Sequence, residues 1–273
     1  MGYKIVCSDL DGTLLNNDSR ISQENLQAIE ELIQKGVFFV PSTGRTFSEL
    51  PNEIKNNPFI RYMIYANGAV VFDRQENKRH VTGMSNEVVN KILDVLSEYE
   101  VHISIRYKGN CCVDQEYANQ EAYAYYNVCE AHQLVIRAFA VYQDNLLDFC
   151  RKADEAEVFS IFFRDYGELM ECKGKIEEIG GLRVTGVSEF NLEIMNVKAG
   201  KGNALLWLAN ENGVAREETI SMGDSDNDVS IIEAAGLGLA VSNACASLKE
   251  VADEIICSNE EHVVPYVLSH YFE

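Results

Sequence analysis

Positive charge is scarce in this 273-residue sequence: 23 Lys and Arg stand against 43 Asp and Glu, a formal net charge of −20. Nucleic acids and anionic membranes are bound through Lys and Arg, so neither is an expected partner. A phosphorylated ligand has to be drawn in by a local cluster or a metal, not by the overall field. Long apolar runs are absent too. None approaches the roughly 18 residues of a membrane span, and the chain enters its first apolar run without a signal-peptide core. A myristoylation signal would carry Ser or Thr at position 6, where Val6 stands. The eight cysteines are scattered, with Cys111-Cys112 the only close pair and no CxxC, and the five histidines form no HExxH. These absences argue against zinc and disulfides and for reduced, mostly buried thiols in a cytoplasmic protein. No repeat or low-complexity linker occurs. At 47% hydrophobic and 24% charged residues, the chain is globular material for one large or two moderate domains.

The stretch that organises the rest is Cys7-Ser8-Asp9-Leu10-Asp11-Gly12-Thr13-Leu14-Leu15. It follows an apolar run, Tyr3 to Val6, that reads as a strand, so two carboxylates emerge where a strand meets a loop. Open α/β sheets keep their sites there. Paired acids repel unless a proton or cation compensates, and Mg²⁺ is the natural compensator, a hard ion held by one or two carboxylates plus waters and phosphate. Gly12 permits a tight turn, and Thr13 offers a hydroxyl and a backbone donor to an anion.

Along the chain, Ser22 is an expected N-cap for a helix through Leu26, Ile29, Leu32 and Ile33 that Gly36 closes. The continuous apolar run Val37 to Val40 ends at Pro41-Ser42-Thr43-Gly44-Arg45, and strand, helix, strand is a βαβ unit in a parallel sheet. Tyr62 to Ala66, Asn67-Gly68 and Ala69 to Phe72 read as a hairpin. From about Thr82 the pattern changes. A helix near Val88 to Leu96, strands at His102 to Tyr107 and Cys111 to Val113, helices at Tyr117 to Ala131 and Asn145 to Ala156, and a strand at Val158 to Phe163 are expected. A helix at Leu169 to Ile179 and short strands at Leu182 to Val187 and Leu192 to Met195 follow. Together they suggest an inserted, open-faced antiparallel α+β layer. The last third alternates again: helix Lys201 to Asn212, strand Thr219 to Met222, acidic loop Gly223 to Asp228, a helix through Ile231 and Ala235, strand Leu237 to Val241, a helix near Leu248 and strand Glu254 to Cys257. A helix over Ser258 to Phe272, opened by a Ser258 to Glu261 capping box and disturbed at Pro265, ends the pattern.

Asp9 with Asp11, Thr43, Lys201, and Asp224 with Asp228 therefore line up. Phosphoryl transfer is mainly positioning and charge neutralisation, which a lysine, a hydroxyl, loop amides and Mg²⁺ supply. Asp9 can attack phosphorus as a carboxylate nucleophile, and Asp11 can protonate the leaving oxygen and later deprotonate water.

Taken in order, DLDGTLL, Thr43-Gly44-Arg45, Asn67-Gly68, Lys201-Gly202 and GDSDND resemble the signature of haloacid dehalogenase-superfamily phosphatases. More narrowly, the chain resembles their Cof-type subgroup with a type IIB cap, over residues 5 to about 250. The resemblance implies a Rossmann-like α/β core with a parallel sheet, residues 1–81 and 191–273, and an inserted α+β type IIB cap, residues 82–190, that sets specificity. It implies Asp9 as nucleophile, Asp11 as general acid and base, and Thr43 and Lys201 on the transferring phosphoryl. Mg²⁺ would sit on Asp9, the backbone carbonyl of Asp11, and Asp224. Asp228 would support Lys201 or metal-bound water from behind, and Asn227 would approach phosphoryl or substrate. Gly12 and Gly44 would allow backbone approach, with Arg45 a further substrate contact. Ile231 stands where the family often has Met, and Ala240-Val241-Ser242-Asn243-Ala244 replaces its usual AMGNA, a change that bears on loop geometry.

The expected function is a Mg²⁺-dependent phosphatase acting on small phosphorylated metabolites, sugar phosphates or related monoesters, as a monomer or homodimer. A phosphomutase would need cations for a second phosphate, and residues 82–190 hold 10 Lys or Arg against 19 Asp or Glu. Arg106, Lys108, Arg137 and Arg164 could still cluster. A phospho-signalling receiver is much shorter and needs no insert. A noncatalytic sugar-phosphate sensor would bind without turnover.

Overall fold

The structure, a computed structural model, describes residues 2–186 and 188–272 and divides into two compact units. The first comprises residues 2–45, Leu50–His80 and residues from 200 onward; the second comprises Thr46–Glu49 and Val81–Ala199.

In the first unit the strand Ile5–Ser8 is buried at every position, as expected of a strand covered on both faces. It pairs in parallel with Thr219–Gly223 on one side and Phe38–Pro41 on the other. Leu237–Val241 and Glu254–Ile256 extend the sheet beyond Thr219–Gly223, again in parallel. The chain thus leaves three adjacent strands at the same sheet edge, at Asp9, Ser42 and Asp224. The flanking helices are set by local chemistry. Ser22 Oγ accepts from the Asn25 N–H at 3.1 Å and opens Gln23–Gln34, whose Ala28, Ile29 and Leu32 are buried. On another helix, Lys201–Glu211, Leu205 and Leu208 pack with Ile5, Val40, Ile64 and Ile231.

The hairpin around Asn67-Gly68 forms with a longer connection than a two-residue turn: Tyr65 pairs with Val70, and Asn67 takes a left-handed φ of 53° between them. Gly68 has a packing reason as well. A Cβ there would lie 2.2 Å from the Gly200 carbonyl carbon and 2.5 Å from the Lys201 nitrogen, so the turn supports the start of the lysine-bearing helix only without a side chain. The C-terminal helix is shorter than the capping box suggested. Ser258 does donate to Glu261, from N at 3.0 Å and from Oγ at 2.7 Å, but His262 then turns left-handed and the helix is Val263–Tyr271. Pro265 falls in its first turn, where its missing N–H has no intrahelical acceptor to lose.

The second unit is built on a six-stranded sheet in the order Leu182–Thr185, Asn191–Asn196, Val158–Phe163, Val101–Tyr107, Asn110–Asp114, Val141–Gln143. All neighbours are antiparallel except the last pair. Ile105, Phe159, Ile161 and Ile194 on one face pack on the helices Asn86–Leu96, Leu146–Arg151 and Tyr166–Ile179. Asn191–Asn196 pairs with strands on both sides here, so the division falls at Ala199 and Gly200 and not after residue 190. Pairing between distant segments decides that boundary, and it leaves no local signal. The stretch Tyr117 to Ala131 is two helices, Gln120–Tyr125 and Glu130–Phe139, because Asn127 turns left-handed at φ 54°. The helix expected to reach Ala156 ends at Arg151, and Glu155–Ala156 pairs with Met84–Ser85 instead. The expected strand end at Val187 lies outside the described residues.

In this unit His102 is buried and His132 is half-buried, with its ring packed inward. His102 meets Tyr123 and Phe162 edge-on and Tyr126 at a tilt, and His132 Nε2 lies 2.9 Å from Ser104 Oγ. Burial pushes His102 down to about 4 and His132 down to about 3, the latter helped by Arg106. The unfolded chain takes up protons near pH 6.5, so it binds more protons than the fold between there and pH 4, and stability falls as pH drops through that window. Each histidine contributes a slope approaching about 1.4 kcal/mol per pH unit. Because the raised carboxyls of Asp9 and Asp224 add a slope of the opposite sign, the histidine contribution is read by difference: urea unfolding at pH 7, 6 and 5 should show His102→Phe losing less stability on acidification than the parent. An unchanged slope in that variant would remove this histidine from the acid sensitivity.

Candidate active site

The site is assembled in the first unit from three strand ends and one helix start. After Ser8 the backbone carries Asp9 into a tight loop in which the Leu14 and Leu15 N–H groups bond back to the Asp9 and Leu10 carbonyls at 3.3 and 2.8 Å. Gly12 takes φ +78°, and a Cβ on it would meet Asp224 Oδ2 at 2.5 Å, so two acidic loops approach across a glycine. The Gly12 carbonyl is held from outside by Asn243 Nδ2 at 2.8 Å. That asparagine belongs to the segment where the sequence departs from the AMGNA pattern, and it keeps the loop anchored.

Lys201 is 1% exposed and donates to Asp9 Oδ1 at 2.7 Å and Asp228 Oδ1 at 2.6 Å. Burial opposes its charge, but the Asp9 and Asp228 carboxylates outweigh that and hold the ammonium above its ordinary value. Asp9 is pushed well above the usual carboxylate range, first by burial and then by Asp228, with Lys201 opposing both. Burial and Asp228 push Asp224 up to about 6. Three acids share one buried cation, which leaves an excess of negative charge for a further cation to meet.

The donor set fits a divalent ion. Asp9, Asp224 and Asp228 each offer a carboxylate oxygen within 4.8 Å of the others. Their commitments differ. Asp228 gives Oδ1 to Lys201 and Oδ2 to the Ser225 and Asp224 N–H groups at 3.2 and 3.1 Å, so it braces the lysine and the loop. Asp224 Oδ1, by contrast, is buried without a hydrogen-bond partner, as is Thr13 Oγ1. All-oxygen ligands favour Mg²⁺ or a similar hard ion over zinc or copper.

The remaining expected residues divide. Thr43 is 1% exposed at the neighbouring strand end, and its Oγ1 accepts from the Arg45 N–H at 3.2 Å. A Cβ on Gly44 would come 2.8 Å from Asn67 Oδ1. Arg45 grips Asp11 with two bonds, Nε to Oδ2 at 2.8 Å and Nη2 to Oδ1 at 2.6 Å, so the Asp11 carboxylate turns outward and is 56% exposed. Asn227 Nδ2 contacts Asn67 Oδ1 at 3.3 Å. Sequence reasoning missed Asn67 as a positioning group because Asn-Gly reads first as a turn, and Asn243 because nothing in its local pattern points to Gly12.

The haloacid dehalogenase-like hydrolase family matches residues 6–268. The chain is 30% identical to phosphatase YwpJ of Bacillus subtilis (strain 168) over 98% of this chain and 99% of that protein. It is also 30% identical to the 5-amino-6-(5-phospho-D-ribitylamino)uracil phosphatase YcsE of the same organism, over 98% and 95% of the two chains. The solved structure of the subclass IIB sugar phosphatase BT4131 superposes with a TM-score of 0.77 at 21% identity, over 98% of each chain, a likeness of fold. With the ordered motifs, the parallel sheet and the antiparallel insert all in place, the chain belongs to the haloacid dehalogenase-like hydrolases, as a Cof-type phosphatase.

Proposed function

We propose that the protein hydrolyses phosphomonoesters of small metabolites, sugar phosphates or phosphorylated polyols, through an aspartyl-phosphate on Asp9, with Mg²⁺ as cofactor. The observation that carries this reading is the buried Asp9–Lys201–Asp228 bridge beside Asp224. Lys201 orients the Asp9 carboxylate and opposes the burial and the Asp228 repulsion that disfavour its charged form, and a cation bound by Asp9 and Asp224 would complete the ionisation that attack on phosphorus needs. Thr43 and the Lys201 ammonium then face the transferring group as hydroxyl and cation. Mg²⁺, held by Asp9, Asp224 and the Asp11 main-chain carbonyl, would neutralise charge on the phosphoryl oxygens.

Asp11 needs release before it can move a proton, because Arg45 holds its carboxylate through two bonds. An incoming phosphate competes for the same guanidinium fork, which binds carboxylate and phosphate alike. Exchange of the phosphate for Asp11 on Arg45 frees the acid at the moment substrate arrives. Once released, the exposed Asp11 carboxylate takes a proton from solvent, gives it to the leaving oxygen as the ester bond breaks, and takes one back from the water that attacks the phosphoryl-aspartate. The eight free cysteines suit a reducing, cytoplasmic setting, and the reading takes the protein to act there as a monomer or homodimer.

Incubating the full chain with a panel of phosphorylated sugars and polyols, and measuring inorganic phosphate, tests the reading. Phosphate release should require millimolar Mg²⁺, stop with EDTA and return when Mg²⁺ is restored; Mg²⁺ should also raise the melting temperature, as a ligand of the native state does. Turnover unaffected by exhaustive chelation would sink the metal assignment. Isomeric phosphoester in place of free phosphate would make it a mutase.

A further inference from the structure

The second unit holds a cavity of about 730 Å³, within the size range of small-molecule sites. Its floor is apolar, with Leu93, Leu96, Ile103 and Leu146. One wall is aromatic. Tyr126 stands between Tyr117 and Tyr125, with ring centroids 6.2 and 4.9 Å away and interplanar angles of 78° and 84°. Rings set at near right angles make a corner whose negative faces suit a cation.

The rim has the matching charge. Glu100, Asp114, Glu116 and Asp144 line the cavity, and the one lining cation, Arg151, is turned away to Asp94 and Asn90, each at 3.0 Å. Asp114 is pinned by the Glu116 and Leu146 N–H groups, both at 3.0 Å. Among the described residues no cation pairs with Glu116 or Asp144. The protein's own side chains already show what these rings accept. The Arg164 guanidinium lies 4.8 Å from the Tyr125 centroid and donates to its hydroxyl at 2.8 Å, which in turn donates to Glu100 at 3.0 Å. On Tyr99, which also lines the cavity, the Lys175 ammonium sits 5.1 Å from the ring.

Each alternative ligand class fails on one part of the lining. Anions meet the rim carboxylates, a hydrated metal ion meets the leucine floor, and a neutral apolar molecule would strip water from acids without compensating them. A chain of methylenes interrupted by ammonium groups satisfies floor, rings and rim together. We propose that this cavity binds a linear organic polyamine, a second ligand site that does not depend on the phosphatase reading.

Calorimetric titration of the full chain with spermidine, at about 0.15 M salt to screen the general negative field, tests it. Saturable one-to-one binding is expected. Glu116→Gln/Asp144→Asn, both on exposed side chains, should weaken it at least tenfold, and Tyr117→Leu should weaken it independently. A charge-matched control in the first unit, Glu24→Gln/Glu233→Gln, should bind as the parent does. Absence of saturation in the parent, indifference to the cavity variants, or equal loss in the control would each overturn the site and leave only attraction to an acidic surface. Phosphate release should be the same in the cavity variants and the parent.

Discussion

An Asp9→Asn variant is expected to lose turnover by about 10³-fold or more while remaining folded, because an amide cannot serve as the nucleophile a carboxylate provides. The two effects separate for a structural reason. Asp9 is one of two carboxylates on a single buried lysine, and burial and Asp228 already disfavour its charge. An uncharged, nearly isosteric amide relieves that repulsion, and Asp228 remains to pair with Lys201. The melting temperature should therefore stay within a few degrees of the parent's while phosphate release disappears. Mass spectrometry on a quenched reaction should show a phosphoryl adduct on the parent and none on the variant. A variant that hydrolysed a generic aryl phosphate at the parent's rate would end the covalent mechanism.

Lys201→Met should damage both activity and stability. It removes the cation between Asp9 and Asp228, which are 5% and 0% exposed. Breaking a buried ion pair from one side costs about 3–5 kcal/mol, because an uncompensated charge remains. The sign with pH is specific. Two buried acids without a cation hold their protons to higher pH in the fold than in the unfolded chain, so the fold binds more protons and loses stability as pH rises from about 4. The variant should consequently be much nearer the parent at pH 5 than at pH 8. Adding Asp228→Asn should recover part of the stability and none of the turnover. Denaturant midpoints at the two pH values measure the first claim and phosphate release the second; a pH-independent loss would mean that packing of the lysine stem, not charge, was removed.

The candidate site residues Asp9, Thr43 and Asp224 were legible because each comes shortly after an apolar run, and such runs become buried parallel strands that end at one sheet edge. That their strand ends lie side by side follows from the same pattern and from their order in the chain. Outside the site, local signals held where the deciding interaction was local, as with Ser22 capping its helix. They failed where a distant partner decided. Asn191–Asn196 reads like any short strand, and its place in the second unit comes from pairing with Val158–Phe163 and Leu182–Thr185. Asn127 broke an expected helix by a left-handed turn, with its side chain bonding to the Phe163 carbonyl at 3.0 Å.

By itself the sequence determined the strand and helix periodicity, the acidic loops and their order, and hence the fold class and the chemistry those loops can perform. Tertiary structure alone decided that Arg45 faces Asp11, that Asn243 steadies Gly12, and that Lys201 is buried between two acids. Side-chain partners of this kind lie tens to hundreds of residues apart, and their pairing is set by how the strands are ordered in the sheet, which no local stretch of chain encodes.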